Sequence, residues 1–381
     1  MRAGLAPKSV AIVVGTRPEL IKVAPLVRVL GPVARLIHTG QHYDENLSGQ
    51  FLAELRIGEP DLRLAVGGRS RGTQIGDATS QLEAHFQAER PTAVVVHGDT
   101  NATVAGALAA NASGTPLVHL EAGLRSFDRA MPEEHNRKVA DHLADLCLAP
   151  TETNKANLAA EGIGGDKVLL TGNTVVDAVL DLLPEAAERE TLRAGYGLER
   201  NGYALATFHR PENTDDPEVL ATILSELAAL PIPAILPLHP RTRLKIAQFG
   251  LSDHLDKLRV IDPIGYRAFL GLGADAAVLV SDSGGVQEEA SVLKRPVLVV
   301  RNSTERPEIL GTFAQLVPPG PLISAWVEEW LDTLDELHAD LAAMASPYGD
   351  GTSAKRCAAA IRLLVAQSGM ALRRSGGVAR R

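Results

Sequence analysis

Short β-branched apolar runs alternate along the chain with segments whose apolar residues recur at helical spacing. The runs are Val10–Val14, Ala34–His38, Ala93–His97, Leu117–Leu120, Leu146–Ala149 and Val168–Thr171, then Ala204–Phe208, Ala234–Leu238, Arg259–Ile261, Ala277–Ser281 and Val297–Val300. Between them, Ile21–Leu30, Thr103–Asn111, Glu134–Leu143 and Glu218–Leu230 carry the recurrence of amphipathic helices. Strand–helix alternation of this kind predicts parallel sheets with helices on both faces. The runs fall into two similar sets, so the expected fold class is α/β with two Rossmann-like domains, joined between Gly172 and Gly202.

Composition narrows the picture. The 381 residues are enough for two domains with cores of their own. With 38 Lys+Arg against 46 Asp+Glu the net charge is −8, which argues against a general nucleic-acid or membrane-surface binder. The only cysteines, Cys147 and Cys357, lie in apolar-periodic segments and supply neither a disulfide framework nor a zinc cluster. No stretch has the length of a secretory or membrane-spanning segment, so a cytoplasmic location is expected.

Ligands of parallel sheets bind outside the carboxyl ends of the strands. Here those ends are unusually polar: Gly15-Thr16-Arg17-Pro18-Glu19, His97-Gly98-Asp99-Thr100, His119-Leu120-Glu121-Ala122-Gly123, His209-Arg210-Pro211-Glu212-Asn213, Ser281-Asp282-Ser283-Gly284-Gly285 and Arg301 to Glu308. Such ends in both domains imply one cleft lined from both sides. Ser283-Gly284-Gly285 opens a helix, where backbone amides attract anions such as phosphate; an ordinary capped turn reads equally well. Glu289, one turn on, suits sugar hydroxyls, and Arg306 could neutralise a diphosphate. Asp99 and Glu121 end successive strands and Glu133 follows in the next connection, a set suited to acid/base work, with His209 as a partner. Each of the four could instead be a cap, a surface charge or a satisfied histidine. His135 and His142 read as helix surface and packing, and Trp326 and Trp330 as core or interface. No dinucleotide fingerprint, phosphate loop or H-E-x-x-H pair occurs, and no metal or cofactor is expected.

The phrases GTRPELIK (Gly15–Lys22), TGQHYD (Thr39–Asp44), HGDTNAT (His97–Thr103), EAGLRSFDRAMPEEHNR (Glu121–Arg137), TGNTVVDA (Thr171–Ala178), FHRPEN (Phe208–Asn213), SDSGGVQEEA (Ser281–Ala290) and STERPE (Ser303–Glu308) resemble the non-hydrolysing UDP-N-acetylglucosamine 2-epimerases. Order and spacing match from about residue 10 to Ser346–Gly351. The resemblance implies a glycosyltransferase-B-like fold, a homodimer, and interconversion of UDP-GlcNAc and UDP-ManNAc without cofactor or metal. Its domains would be 1–175, completed by a C-terminal helix at 353–372, and 176–352, which binds UDP, with a tail at 373–381. It implies catalytic roles for Asp99, Glu121, Glu133 and His209, with Arg17 and Lys22 in the same cleft. It also implies diphosphate contacts from Ser283, Gly284, Gly285 and Arg306, a ribose contact from Glu289, and an aromatic at the nucleotide from Phe269.

Two departures stand out. Regulated bacterial members carry a second arginine where this chain has Pro211, and Asp44 follows the Gln-His phrase. Gln41 and His239 match positions that bind a second, activating UDP-GlcNAc in those members. Losing a cation and gaining an acid disfavours a diphosphate, so weak or absent substrate activation is expected. Alternative activities are a hydrolysing epimerase, action on a diacetamido-uronic acid nucleotide, glycosyl transfer, and nucleotide-sugar binding without catalysis.

Overall fold

The computed structural model describes residues 5–41 and 49–376, the side chains of 368–376 excepted. It forms two compact units, Met1–Ala178 with Tyr348–Arg381, and Val179–Pro347. The first holds strands β1 (Val10–Val14), β2 (Ala34–His38), β3 (Leu62–Arg63), β4 (Ala93–His97), β5 (Leu117–Leu120), β6 (Leu146–Ala149) and β7 (Val168–Leu170). Its helices are α1 (Arg17–Leu30), α2 (Gly49–Glu54), α3 (Arg71–Glu89), α4 (Asn101–Ala112), α5 (Pro132–Leu143), α6 (Glu152–Ala160) and the start of α7 (Thr174–Leu182).

The second unit holds β8 (Ala204–Thr207), β9 (Ala234–Pro237), β10 (Arg259–Ile261), β11 (Val278–Ser281), β12 (Val297–Val300) and β13 (Ala314–Val317). Its helices are α8 (Ala186–Gly195), α9 (Pro211–Thr214), α10 (Pro217–Ala228), α11 (Pro240–Phe249), α12 (Tyr266–Asp275), α13 (Gly284–Leu293), α14 (Leu322–Asp332) and α15 (Leu334–Ala343). The last helix, α16 (Ser353–Gly376), belongs to the first unit and packs on α1.

Both sheets are wholly parallel. The first runs β3-β2-β1-β4-β5-β6-β7 and the second β10-β9-β8-β11-β12-β13. Their central strands are mostly apolar and almost wholly buried, as sheets covered on both faces require. In each sheet the strand order reverses once, between β1 and β4 and between β8 and β11. Chain crossovers diverge at such a switch point and leave a crevice beyond the strand ends, where ligands of open α/β sheets bind. The polar strand ends therefore gain a definite place: Gly15–Glu19 and His97–Thr100 flank one switch point, Phe208–Asn213 and Asp282–Gly285 the other.

Small residues bring α4 close to the first sheet. A Cβ on Gly106 would stand 2.7 Å from Val96 Cγ1, so glycine sets how near the helix lies. Thr100 caps α4 through a capping box with Thr103 and anchors the turn that carries Asp99. Trp326 and Trp330 pack against the core of the second unit, with ring centroids 6.0 Å apart. Among the described residues no helix is long and apolar enough to cross a membrane.

Candidate active site

In the first unit Asp99 and Glu121 end neighbouring strands. His97 pairs in register with Leu120, and the Gly98 amide donates to the Leu120 carbonyl at 3.0 Å. Asp99 is held from several directions. Arg137 reaches Oδ2 at 2.7 and 3.0 Å, Asn136 donates to the Asp99 carbonyl at 2.7 Å, and the side chain keeps 30% exposure. Glu121 is buried, with φ +68°, a left-handed conformation that costs a non-glycine residue about 1 kcal/mol or more. Lys22 compensates: its Nζ donates to both carboxylate oxygens at 2.8 and 3.0 Å. His97 Nε2 stands 2.9 Å from Glu121 Oε2 but off hydrogen-bond alignment, and among the described residues its Nδ1 bonds nothing. A strained, cation-paired carboxylate one strand from the switch point is a feature that folding alone does not require.

Glu19 completes this side. It accepts from the Gly15 amide and the Thr16 hydroxyl, both at 2.9 Å, and from the Thr100 hydroxyl at 3.0 Å, which ties the β1 turn to the Asp99 turn. Burial pushes its carboxyl above the usual range, and the His97 charge and these donors only partly offset that. Arg17 lies over the Phe51 ring, 4.3 Å from its centroid. Gln41 accepts from the Ala102 amide at 3.0 Å and so serves as a second cap of α4. Asp44 lies outside the described residues.

The structure separates Glu133 from its neighbour. Glu133 is exposed in the first turn of α5 and, among the described residues, forms no ion pair or hydrogen bond. It stands three and four residues before Asn136 and Arg137, on the helix face that grips Asp99. Glu134 is buried, pairs with Arg137 at 2.8 Å and accepts from the Ser126 amide at 2.9 Å. Asp99 and Glu121 share the strand ends, and Glu133 stands in the first turn of the helix that follows them. His135 and His142 are exposed and bond to the carbonyls of Arg129 and Lys138.

In the second unit the organising group is Asp282, which sequence reading passed over. It is fully buried and accepts from the amides of His209 at 3.1 Å and Arg210 at 2.9 Å, and from Asn213 Nδ2 at 3.2 Å. Burial works against its charge, yet the His209 ring and these donors prevail and hold its carboxyl below the usual range. His209 Nδ1 lies 3.3 Å from Asp282 Oδ1, an arrangement that orients the ring and directs Nε2 away from the carboxylate. His239, at 5.7 Å between ring centroids, flanks His209 and accepts from the Arg241 amide at 3.2 Å as the cap of α11. Pro211 is exposed at the first position of α9.

Ser283 precedes α13 and makes no side-chain capping bond, so the first-turn amides of Gly284 and Gly285 gain no partner from it. A Cβ on Gly284 would stand 2.6 Å from the Arg306 guanidinium: the glycine is what admits the arginine. Arg306 is buried against Glu288 Oε1 at 2.8 Å and also pairs with Glu305. Its charge is thus positioned but already shared with two carboxylates. Glu289 accepts from Tyr266 Oη at 2.9 Å, which joins α12, the helix carrying half-buried Phe269, to α13.

A cavity of about 240 Å³ opens at the amino end of β2, lined by Lys8, Arg28, Arg56 and Asp61, on the opposite edge from these strand ends. Among the described residues no three His, Cys, Asp or Glu side chains are grouped as a metal would require.

Comparison with known proteins gives this arrangement its class. The family profile described as UDP-N-acetylglucosamine 2-epimerase matches residues 33–362. The UDP-N-acetylglucosamine 2-epimerase of Methanococcus maripaludis is 39% identical over 91% of this chain and 96% of its own length. The UDP-2,3-diacetamido-2,3-dideoxy-D-glucuronate 2-epimerase of Pseudomonas aeruginosa is 38% identical over 80% of this chain and 86% of its own. A crystal structure of the Methanocaldococcus jannaschii UDP-GlcNAc 2-epimerase, in complex with UDP-GlcNAc and UDP, superposes with a TM-score of 0.80 at 38% identity, over 93% of this chain and 99% of that one. The fold is glycosyltransferase-B-like, and the protein is an isomerase. The chain belongs to the UDP-N-acetylglucosamine 2-epimerase family.

Proposed function

We propose that the protein interconverts UDP-GlcNAc and UDP-ManNAc by eliminating and re-adding UDP. The observation that carries this reading is the placement of Asp99 beside a switch point and of Glu121 at the end of the neighbouring strand, in a chain matched to the family across most of its length. The C2 proton of an N-acetylhexosamine has no neighbouring carbonyl to acidify it, so a carboxylate cannot remove it from the intact glycoside. When the C1–O bond breaks, its electron pair leaves with UDP, and positive charge at C1 acidifies the C2 proton. A carboxylate takes that proton, and the C–H electron pair forms the C1=C2 bond of 2-acetamidoglucal. Protonation of C2 on the opposite face and return of the UDP oxygen to C1 give the epimer.

Inversion needs either more than one proton carrier or an intermediate that reorients, and Asp99 and Glu121 are the proposed carriers, with Glu133 at the edge. Lys22 keeps Glu121 paired while it is buried. The α13 amides and Arg306 bind the diphosphate, Glu289 the ribose, and Phe269 the base, while His209, oriented by Asp282, assists the departing phosphate. Homodimeric assembly belongs to the same reading through the family resemblance, and a cytoplasmic location is proposed beside it from the sequence itself.

The deciding experiment is NMR of the products formed from UDP-GlcNAc. UDP-ManNAc with UDP still attached is expected; free ManNAc plus UDP would establish a hydrolysing enzyme instead. A second reading, epimerisation of a diacetamido-uronic acid nucleotide, is favoured by the Pseudomonas aeruginosa relative. It prevails if that sugar nucleotide, and not UDP-GlcNAc, is turned over.

Substrate activation is expected to be weak or absent. Pro211 supplies no cation beside His209, and Gln41 and His239 are engaged as helix caps. Initial rates should follow a hyperbola in UDP-GlcNAc. Sigmoidal rates, with UDP-ManNAc turnover restored by traces of UDP-GlcNAc, would contradict this.

A further inference from the structure

His119 lies inside the apolar strand β5, within Leu-Val-His-Leu, and is fully buried. A buried imidazole must satisfy both nitrogens, and this one does so without any group that touches substrate in the reading above. Nδ1 stands 2.6 Å from Asp141 Oδ1 on α5, and Nε2 stands 2.8 Å from the Gly98 carbonyl. A carbonyl only accepts, so Nε2 carries a proton, and an ionised carboxylate at 2.6 Å requires one on Nδ1 as well. The ring is therefore an imidazolium that donates in two directions. Asp141 extends the hold: its Oδ2 receives Arg125 at 2.8 Å and the Gly123 amide at 3.3 Å. Gly98 immediately precedes Asp99, and Gly123 follows Glu121 by two residues.

We propose that His119 is a positioning residue, whose doubly donating ring, with Asp141, holds the turns bearing Asp99 and Glu121 in the geometry needed for proton transfer. This rests on the reading that those two carboxylates act at C2. The charged and titratable groups around the ring are Asp141 from α5, Arg125 from the connection after β5, then Glu161 and Lys138 paired beyond Arg125, and Cys147 opposite on β6. Burial pushes the Cys147 thiol up to about 12, so it stays neutral. Burial also opposes charge on His119, but Asp141 outweighs it and raises the ring above the ordinary histidine value. The raised value widens the pH range over which the imidazolium persists, and its hold is lost as pH rises through that value.

The test begins on the unmodified enzyme without substrate. With histidine ring nitrogens labelled in ¹⁵N, the His119 signals should report both nitrogens protonated at pH 7.5; a neutral ring there overturns the proposal. Asp141→Asn should then lower kcat roughly 100-fold, the cost of a small misplacement of reacting groups. KM should stay within about threefold, and the alkaline limb of kcat should move to lower pH by about one unit. A purely structural role would lower the active fraction and leave the limb in place, which also overturns the proposal. Should Asp141→Asn fail to fold, the ring measurement decides. Absence of C2 exchange in the unmodified enzyme, with an imidazolium observed, would sink the functional reading alone.

Discussion

Asp99→Asn is expected to remove hydrogen exchange at C2 of UDP-GlcNAc, lowering its rate about 10²–10⁴-fold, the usual worth of a positioned acid/base group. The amide keeps the shape of the carboxylate and loses its ability to take a proton. It also loses the ion pair with Arg137, yet that guanidinium stays neutralised by Glu134 at 2.8 Å, and Asn136 still holds the Asp99 carbonyl. The turn should therefore remain in place, anchored further by the Thr100 hydroxyl on Glu19. UDP affinity should be unchanged within about twofold, because every group assigned to the diphosphate lies in the second unit. Calorimetry with UDP beside NMR of the exchange separates the two quantities. Loss of UDP binding with normal residual turnover would contradict the assignment.

Arg306→Met is expected to do the reverse. It removes the guanidinium that lies over Gly284 and exposes what the guanidinium now masks, Glu288 at 2.8 Å and Glu305. Two carboxylates beside the first turn of α13 repel the anion those amides would bind. The loss of one charge-assisted contact amounts to about 2–3 kcal/mol, or roughly 30–150-fold in UDP affinity. Breaking a buried pair also costs about 3–5 kcal/mol of stability, so a lower Tm should accompany the loss. Arg306→Lys keeps the charge and loses the fork geometry, and should recover part of both. UDP affinity close to that of the unmodified protein in folded Arg306→Met would show that Arg306 is a purely structural ion-pair partner.

The fold was legible where burial on both faces writes continuous apolar runs. Strands such as Val10–Val14, Ala93–His97 and Val297–Val300 stand where their runs predict. The two strands without a predicting run are sheet edges. Leu62–Arg63 is only two residues long and partly exposed, and Ala314–Val317 carries Gln315 and is half-covered, so neither shows an unbroken apolar run. The acids at the strand ends were legible because a carboxylate directly after an apolar run must stand at the sheet's edge. Their partners were not. Arg137 grips Asp99 from 38 residues away and Lys22 reaches Glu121 across 99, distances that only the packed helices bring together. The pair Glu133-Glu134 shows the limit most clearly: adjacent identical residues take opposite environments, one exposed and one buried on Arg137. Asp282 carried a readable signal, a lone acid directly after a buried strand, but its task of gathering the His209 and Arg210 amides depends on the neighbouring strand β8.

The most direct measurement is incubation of the unmodified enzyme with UDP-GlcNAc in heavy water, followed by NMR of C2 in both epimers. Deuterium should enter C2 of UDP-ManNAc and of the recovered UDP-GlcNAc. Epimer formed with its original C2 hydrogen retained would contradict proton transfer by the strand-end carboxylates.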